Sequence, residues 1–176
     1  MAKQTILKGR VIVIKDKNGQ AIDDIDTDMI FHNRHLHITE MSEMGQFAFG
    51  NLEGWTDFSN KVKQGDFLIV GKNFGAGSSR QQAVDCFSAL GVVAIIGESF
   101  GAIYKRNTIN SGLPLMVAAS IMSDDLETGD QIEANLETGK IVNSSKNKPL
   151  KPGNPLSKVQ LDIYQAGSMF EYRKTL

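Results

Sequence analysis

The stretch Gly71–Arg80 constrains the fold of this chain more than any other. It reads Gly-Lys-Asn-Phe-Gly-Ala-Gly-Ser-Ser-Arg and follows the apolar run Phe67–Val70, which is typical of a buried strand. It leads into Ser79–Leu90, where apolar side chains recur at helical spacing. The sequence therefore predicts a strand, a glycine loop (Gly71–Arg80) and a helix in succession, with Ser78 or Ser79 as the helix cap.

The glycine loop has the composition of an anion-binding turn. Glycines leave backbone N–H groups uncovered, a helix N-terminus attracts negative charge, and the Arg80 guanidinium suits a carboxylate or a phosphate. A capped structural turn explains the same residues, so composition leaves both interpretations open. The loop is neither a Walker phosphate loop nor a dinucleotide fingerprint, because the Gly-Lys-Ser/Thr ending and the Gly-x-Gly-x-x-Gly spacing are missing.

Overall composition narrows the classes of function. The 176 residues suffice for a hydrophobic core, and we expect one domain over residues 1–176. A net charge of −1 gives no field that would attract nucleic acid or a membrane surface. The N-terminus has no apolar leader and no run is long enough to span a bilayer, so we expect a cytoplasmic protein. The single cysteine, Cys86, cannot hold a cluster by itself, and we expect a packed thiol.

Four carboxylates lie within the six residues Asp23–Asp28. A calcium loop would need further ligands at alternate positions, and the apolar triplet that follows interrupts that pattern. We interpret Asp23 and Asp24 as a solvated loop. We interpret Asp26–Asp28 as functional, with Asp28 pointing inward because it adjoins the apolar triplet.

All three histidines, His32, His35 and His37, fall within six positions, with Arg34 between them. Imidazoles are common metal ligands, but the spacing matches neither a helical i, i+4 pair nor a zinc finger, and no cysteine assists. A loop that lines a polar pocket and an incidental polar loop both stay open as interpretations.

The remaining chain alternates strands with helices and then forms a hairpin, which favours an α/β fold with some parallel pairing. The further predicted strands are Gly9–Ile14, Gly91–Ile96, Leu113–Ala118, Asp130–Asn135 and Lys140–Asn143. The further predicted helices are Glu40–Phe49, a short stretch over residues 55–62, Ser99–Asn110 with Ser99 as its cap, and Pro155–Gln165, the last preceded by a surface loop at Ser144–Pro155.

Three ordered motifs give the chain a family resemblance: Asp23–Ile30, Gly71–Arg80 and Lys105–Leu115, the last reading Lys-Arg-Asn-Thr-Ile-Asn-Ser-Gly-Leu-Pro-Leu. The chain resembles the small subunits of 3-isopropylmalate dehydratase and homoaconitase, and it is similar to the swivel domain of aconitase. The resemblance covers nearly the whole chain. It implies a single swivel-like α/β domain with a mixed β-sheet or barrel flanked by helices.

The resemblance also implies two chains with separate roles. A large subunit would hold a [4Fe–4S] cluster on three cysteines, and its open iron would act as a Lewis acid on the substrate hydroxyl. This chain would bind no metal and would complete the site for reversible dehydration of a hydroxy di- or tricarboxylic acid, foremost 2-isopropylmalate in leucine biosynthesis. The alternatives are a homoaconitase-like or an alkylmalate or citraconate hydratase subunit, and, in another class, a stand-alone carboxylate-binding regulatory module.

Individual residues match the family's functional positions. By this resemblance Ser78 abstracts the proton on the carbon beside a carboxylate. The N–H groups of the loop, around Gly75 and Gly77, stabilise the serine alkoxide that accepts this proton. Ser79 hydrogen-bonds a substrate carboxylate, and Arg80 holds it.

The acidic and histidine segments match the other functional positions. Asp28, with Thr27, matches an acidic position that orients the serine and the arginine. Arg34–Thr39, the histidine loop, matches the family's specificity loop, in which Arg34 and His37 would contact the substrate. Homoaconitase-like members carry arginine at the position of His37, whereas apolar residues there favour an isopropyl group.

Four positions depart from the family's pattern. The family usually reads Gly-Cys-Gly-Ser-Ser-Arg-Glu-His, whereas here Ala76, Gln81 and Gln82 replace the cysteine, the glutamate and the histidine. Gln81 removes a charge next to Arg80, and His32 stands where a proline usually follows the acidic segment. We therefore expect the family's chemistry, and these residues leave the substrate open.

Overall fold

The computed structural model describes residues 1–176 and contains seven β-strands and seven α-helices. The strands are β1 Ile6–Val13, β2 Phe67–Val70, β3 Ala94–Gly97, β4 Leu115–Val117, β5 Gln131–Asn135, β6 Ile141–Asn143 and β7 Lys148–Pro149. The helices are α1 Thr27–Ile30, α2 Met41–Met44, α3 Phe58–Lys61, α4 Gln82–Ala89, α5 Ala102–Asn110, α6 Lys158–Ala166 and α7 Met169–Arg173. Short 3-10 turns lie at Asn33–His35, Gly45–Phe47 and Ile121–Ser123.

All seven strands join one mixed sheet in the order β4-β3-β2-β1-β5-β6-β7. Strands β1 to β4 pair in parallel, because helical crossovers return the chain to the same end of the sheet. Strands β5, β6 and β7 continue the sheet by antiparallel pairing from β1 outward. The predicted α/β class, with a mixed sheet and flanking helices, is confirmed.

The apolar runs predicted as strands are buried on both faces of the sheet. Leu68 and Val70 of β2 join a core of 21 buried residues that includes the inner face of α4. Their neighbours Phe67 and Ile69 join a second core of 16 buried residues, shared with β5 and β6. Burial on both faces explains why these strands are continuous apolar runs rather than alternating ones.

The start of α4 differs from the prediction. The helix begins at Gln82 instead of Ser79, and its N-cap residue, Gln81, forms no side-chain cap. The prediction that Ser78 or Ser79 caps the helix was therefore wrong. Both serines belong to the irregular turn before the helix, where their polar groups contact other segments.

Ser99 was also wrongly predicted as a cap, because α5 begins after Gly101. The Ser99 hydroxyl instead accepts a hydrogen bond from the backbone N–H of Asn73 at 2.7 Å, and the Ser99 carbonyl accepts one from Phe74 at 3.1 Å. The segment after β3 thus binds the loop after β2. Both lie at the carboxyl ends of parallel strands, which is where α/β folds place ligand sites.

The segment Ser144–Pro155, predicted as a surface loop, contains the short edge strand β7. Its pairing with β6 joins Val142 to Pro149 and Asn143 to Lys148. Proline is tolerated there because an edge strand needs hydrogen bonds on one side only. The lysine-rich composition that suggested a loop is also typical of strands exposed at a sheet edge.

Candidate active site

Two glycines shape the second half of the glycine loop. Gly75 and Gly77 have φ angles of 79° and 95°, in the left-handed region that favours glycine. A Cβ on Gly75 would overlap the side chain of the buried Tyr104. Tyr104 is fixed in turn, because its hydroxyl donates a hydrogen bond to the carbonyl of Ala83 at 2.9 Å. The loop therefore lies directly against the core.

Asp23 and Asp24 help to hold the first half of this loop. Both side chains are exposed, as predicted, but their carboxylates are not simply solvated. The Asp23 carboxylate accepts from the N–H of Lys72 at 2.8 Å, and the Asp24 carboxylate accepts from the side-chain amide of Asn73 at 2.8 Å. The predicted exposed loop is confirmed for these two residues. Its contacts with the glycine loop were not predicted, because the partners lie 49 residues ahead in the sequence.

The end of the acidic segment begins the short helix α1, which the sequence pattern did not predict. Asp26 caps it by accepting from the N–H of Met29 at 2.8 Å. Thr27 is buried, and its hydroxyl donates to the carbonyl of Ser78 at 2.9 Å. The N–H of Thr27 also donates to the carbonyl of Ala76 at 2.9 Å. Thr27 thus attaches the acidic segment to the serine turn.

Arg80 and Asp28 form an ion pair in which Nη1 lies 2.7 Å from Oδ1. The same Nη1 donates to the carbonyl of Phe31 at 2.9 Å, and Asp28 also accepts from the N–H of Asn33 and the amide of Asn51. Hydrogen bonding to Arg80 holds the pKa of the Asp28 carboxyl below its usual range. Asp28 and the Phe31 carbonyl thus hold Nη1, whereas Nε and Nη2 make no hydrogen bond within the chain.

The two serines between the glycines and Arg80 differ in their contacts. Ser79 Oγ accepts a hydrogen bond from the side-chain amide of Asn107 on α5 at 2.9 Å. Its own proton is therefore directed away from Asn107. The exposed hydroxyl of Ser78 makes no hydrogen bond within the chain. The backbone N–H groups from Gly77 to Gln81 also have no acceptor within the chain. These N–H groups are therefore available to an acceptor outside the chain.

The histidine loop lies beside this turn. His35 stacks on Phe47 with ring centroids 3.9 Å apart, and desolvation lowers its pKa, with a further contribution from Arg34. The Nδ1 of His37 lies 3.1 Å from the carbonyl of Arg34. The Arg34 side chain itself is exposed, and its Nε donates to His32 at 3.3 Å. The exposed residues of the loop are therefore Arg34, His37 and Thr39, which are polar, and the apolar Leu36.

Three amide side chains that contact this site were missed by the sequence analysis. Asn51 orients Asp28, Asn107 orients Ser79, and Gln82 donates to the carbonyl of Leu36 at 3.1 Å. Asn107 lies in the third motif of the family resemblance, and Gln82 is one of the departures from the family's pattern, whereas Asn51 carried no signal. The partner of each amide depends on how distant segments pack.

The chain's own residues do not fit an iron–sulfur cluster. Cys86 is fully buried in α4, and burial raises the pKa of its thiol, which opposes the thiolate that a cluster requires. No group of three or more His, Cys, Asp or Glu side chains is arranged to hold a metal ion. The packed thiol that the sequence analysis expected is confirmed.

Comparison with known proteins identifies the family of this chain. The Aconitase C-terminal domain family matches residues 22–120. The 3-isopropylmalate dehydratase small subunit of Caldicellulosiruptor saccharolyticus is 38% identical over 93% of this chain and 92% of its own. The chain therefore belongs to the Aconitase C-terminal domain family. The isopropylmalate/citramalate isomerase small subunit of Methanocaldococcus jannaschii is 40% identical over 97% of this chain and 95% of its own.

The structural relatives of this aconitase-family small subunit agree. The crystal structure of a 3-isopropylmalate dehydratase from Methanocaldococcus jannaschii matches with a TM-score of 0.84 and 35% identity, over 97% of this chain and 94% of that one. The homoaconitase small subunit of the same organism is 36% identical over 93% of this chain and 92% of its own. No helix of this family member is both long enough and apolar enough to cross a membrane.

Proposed function

We propose that this chain is the small subunit of a two-chain iron–sulfur hydro-lyase that interconverts 2-isopropylmalate and 3-isopropylmalate in leucine biosynthesis. The observation that carries the proposal is the turn Ser78–Arg80, where a free hydroxyl, an oriented hydroxyl and a fixed guanidinium adjoin backbone N–H groups without acceptors. The family membership of the chain supports the same reaction class.

The turn has the groups to bind one substrate carboxylate. Arg80 presents the guanidinium edge that Asp28 does not occupy. Ser79 accepts from Asn107 and so has its own proton available for a carboxylate oxygen. The N–H groups from Gly77 to Gln81 add neutral donors whose positions are fixed by the backbone. Preorganised donors of this kind stabilise negative charge without rearrangement during the reaction.

Ser78 would transfer the proton on the carbon beside this carboxylate. A serine hydroxyl is a weak base at neutral pH, so its alkoxide has to be stabilised by its surroundings. The free N–H groups of the turn and the charge of Arg80 lie within two residues of it. Thr27 holds the Ser78 carbonyl, which fixes the backbone that carries the hydroxyl.

We assign the iron–sulfur cluster to the large subunit. Cys86 is enclosed in the core, and the carboxylates and imidazoles of this chain form no metal-binding set. The chain would then be active only when a cluster-bearing partner covers the exposed serines.

An assay of the assembled complex tests the proposal. The chain is co-produced with a cluster-bearing large subunit of an isopropylmalate dehydratase, and hydration of isopropylmaleate is followed. We expect the Ser78→Ala complex to lose about 10²- to 10⁴-fold in kcat, the range of a positioned acid–base group. Ser144→Ala is the matched control, since Ser144 is also exposed without a hydrogen bond from its hydroxyl but lies beyond β6. Full activity of the Ser78→Ala complex would exclude the role of the serine.

Two further measurements separate the alternatives. Relative rates with isopropylmalate, citramalate and homocitrate decide between the dehydratase, citramalate and homoaconitase activities. His37 would contact the substituent in which these substrates differ. Calorimetry on the isolated chain tests a stand-alone carboxylate-binding module. Tight binding of a dicarboxylate that disappears in Arg80→Ala, without any large subunit, would favour the module over the subunit.

A further inference from the structure

The side-chain amide of Gln82 connects α4 to the histidine loop. Its Nε2 lies 3.1 Å from the carbonyl of Leu36 and 3.5 Å from the carbonyl of Ile38. These are the two carbonyls on either side of His37. The backbone that carries the His37 side chain is therefore held from both sides by a single donor group.

The ring of His37 is oriented by a separate contact. Its Nδ1 lies 3.1 Å from the carbonyl of Arg34, and a carbonyl can only accept a hydrogen bond. Nδ1 therefore acts as the donor in this contact, and Nε2 makes no hydrogen bond within the chain. The side chain of His37 is exposed, so this nitrogen is accessible.

Arg80 fixes the other end of the same segment. Its Nη1 donates to the carbonyl of Phe31 at 2.9 Å, just before the histidine loop. Gln82 follows Arg80 by two residues and binds the loop at Leu36 and Ile38. Arg80 and the start of α4 thus hold the segment from Phe31 to Ile38 at both of its ends, which limits how far His37 can move relative to the serine turn.

We propose that Gln82 is a positioning residue for substrate selection, which sets where His37 meets the substituent at the far end of the substrate. The inference rests on the proposed function, because it assigns the serine turn to one end of a hydroxy acid. A loop held at a fixed separation discriminates between substituents of different size. A loop without the Gln82 contact would accept large and small substituents alike, so the discrimination between substrates would decrease.

Hydrogen–deuterium exchange on the isolated chain tests the anchor itself. Gln82→Glu replaces the amide donor by a carboxylate of the same shape, which repels the two carbonyls. We expect faster exchange in the peptide that spans residues 34–39. Gln46→Glu is the control, because the Gln46 amide also donates to a backbone carbonyl, that of Glu43, outside the loop. Unchanged exchange in the Gln82 variant would overturn the anchor.

Kinetics of the assembled complex test the consequence. We expect Gln82→Glu to reduce the ratio of kcat/KM for 2-isopropylmalate over citramalate by on the order of 10-fold, mainly through KM, the size of effect that one or two methyl groups give in a pocket. Gln82→His retains a ring N–H donor and should recover part of the ratio. An unchanged ratio in an active Gln82→Glu complex would refute the proposal. A wild-type complex inactive on both acids would instead refute the proposed function.

Discussion

The glycine loop and the histidine loop lie side by side but are built by different means. The glycine loop is fixed through its backbone: its carbonyls and N–H groups bond to Thr27, Asp23 and Ser99, and a glycine lies against the core. The histidine loop is held mainly by side chains, through the stacking of His35 and the amide of Gln82. Backbone hydrogen bonds persist when a side chain is replaced, whereas side-chain contacts are lost with a single replacement.

Under the proposed function, this difference would match two requirements of a hydro-lyase site. The groups that bind a carboxylate and move a proton must keep their geometry for every substrate. The groups that meet the variable substituent must change when the substrate changes. We expect substitutions in the glycine loop to affect stability and turnover, and substitutions in the histidine loop to affect selectivity and pH dependence.

The largest effect is expected for Gly75→Ala. The new methyl group would require a left-handed backbone and would overlap Tyr104, so we expect a loss of about 2–5 kcal/mol in the free energy of unfolding. Gly54→Ala is the matched control, because Gly54 has a φ angle of 83° and no atom lies within 4 Å of the position that a Cβ would occupy there. Denaturant unfolding measures both variants. Equal losses would show that the core contact of the loop has no energetic weight.

The next largest effect is expected for Arg80→Lys, and it concerns kcat/KM rather than the free energy of unfolding. A lysine keeps the charge but cannot bind Asp28 and a carboxylate through separate edges, so kcat/KM should fall by about 10- to 100-fold, the equivalent of one charge-assisted hydrogen bond. Steady-state kinetics of the complex measure the change. Arg173→Lys, on the exposed face of α7, should have no effect. Equal kcat/KM values for both variants would show that Arg80 does not bind the substrate.

A smaller effect is expected for Thr27→Val. The substitution removes a buried hydroxyl that donates to the Ser78 carbonyl, so we expect a loss of about 1–2 kcal/mol in unfolding free energy together with a lower kcat. Thr108→Val is the comparison, because Thr108 is also buried but donates to a carbonyl within its own helix. It should reduce stability without changing kcat. A parallel loss of kcat in both variants would contradict a specific role of Thr27.

The smallest effect is expected for His35→Phe, in the pH dependence of stability. Burial lowers the folded pKa of His35, so the unfolded chain binds protons more readily. This contribution to stability is present above the ordinary histidine pKa of about 6.5 and decreases as the pH falls below it. Thermal melts at pH 8 and near pH 5.5 should differ less for His35→Phe than for the wild type. An identical difference would show that His35 is not coupled to folding.

Local patterns predicted much of the architecture. The apolar runs predicted strands because burial on both faces of a parallel sheet requires them, and the sheet confirms this for β2 and β3. The glycines predicted a tight turn, and the left-handed φ angles of Gly75 and Gly77 agree. The residues grouped at the sequence level as candidate site residues are also joined by contacts, as the pairs of Arg80 with Asp28 and of Thr27 with Ser78 show.

The first residues of the helices and the polar contacts could not be predicted from local sequence patterns. A serine before an apolar run fits a helix cap locally, but Ser79 instead accepts a hydrogen bond from Asn107, and Ser99 accepts one from Asn73. A local pattern indicates which hydrogen bonds a side chain can make. The partner that it binds depends on which distant segment packs beside it.

The sequence by itself determined the α/β class, the glycine loop between β2 and α4, and the buried place of the lone cysteine. Each of these follows from side-chain size and polarity over a few neighbouring residues. Only the tertiary structure decided that Asp23 binds the glycine loop, that Asn107 orients Ser79, and that Gln82 holds the histidine loop. These contacts join residues 28 to 49 positions apart, and hydrogen bonds over such separations are set by the packing of the sheet and its helices.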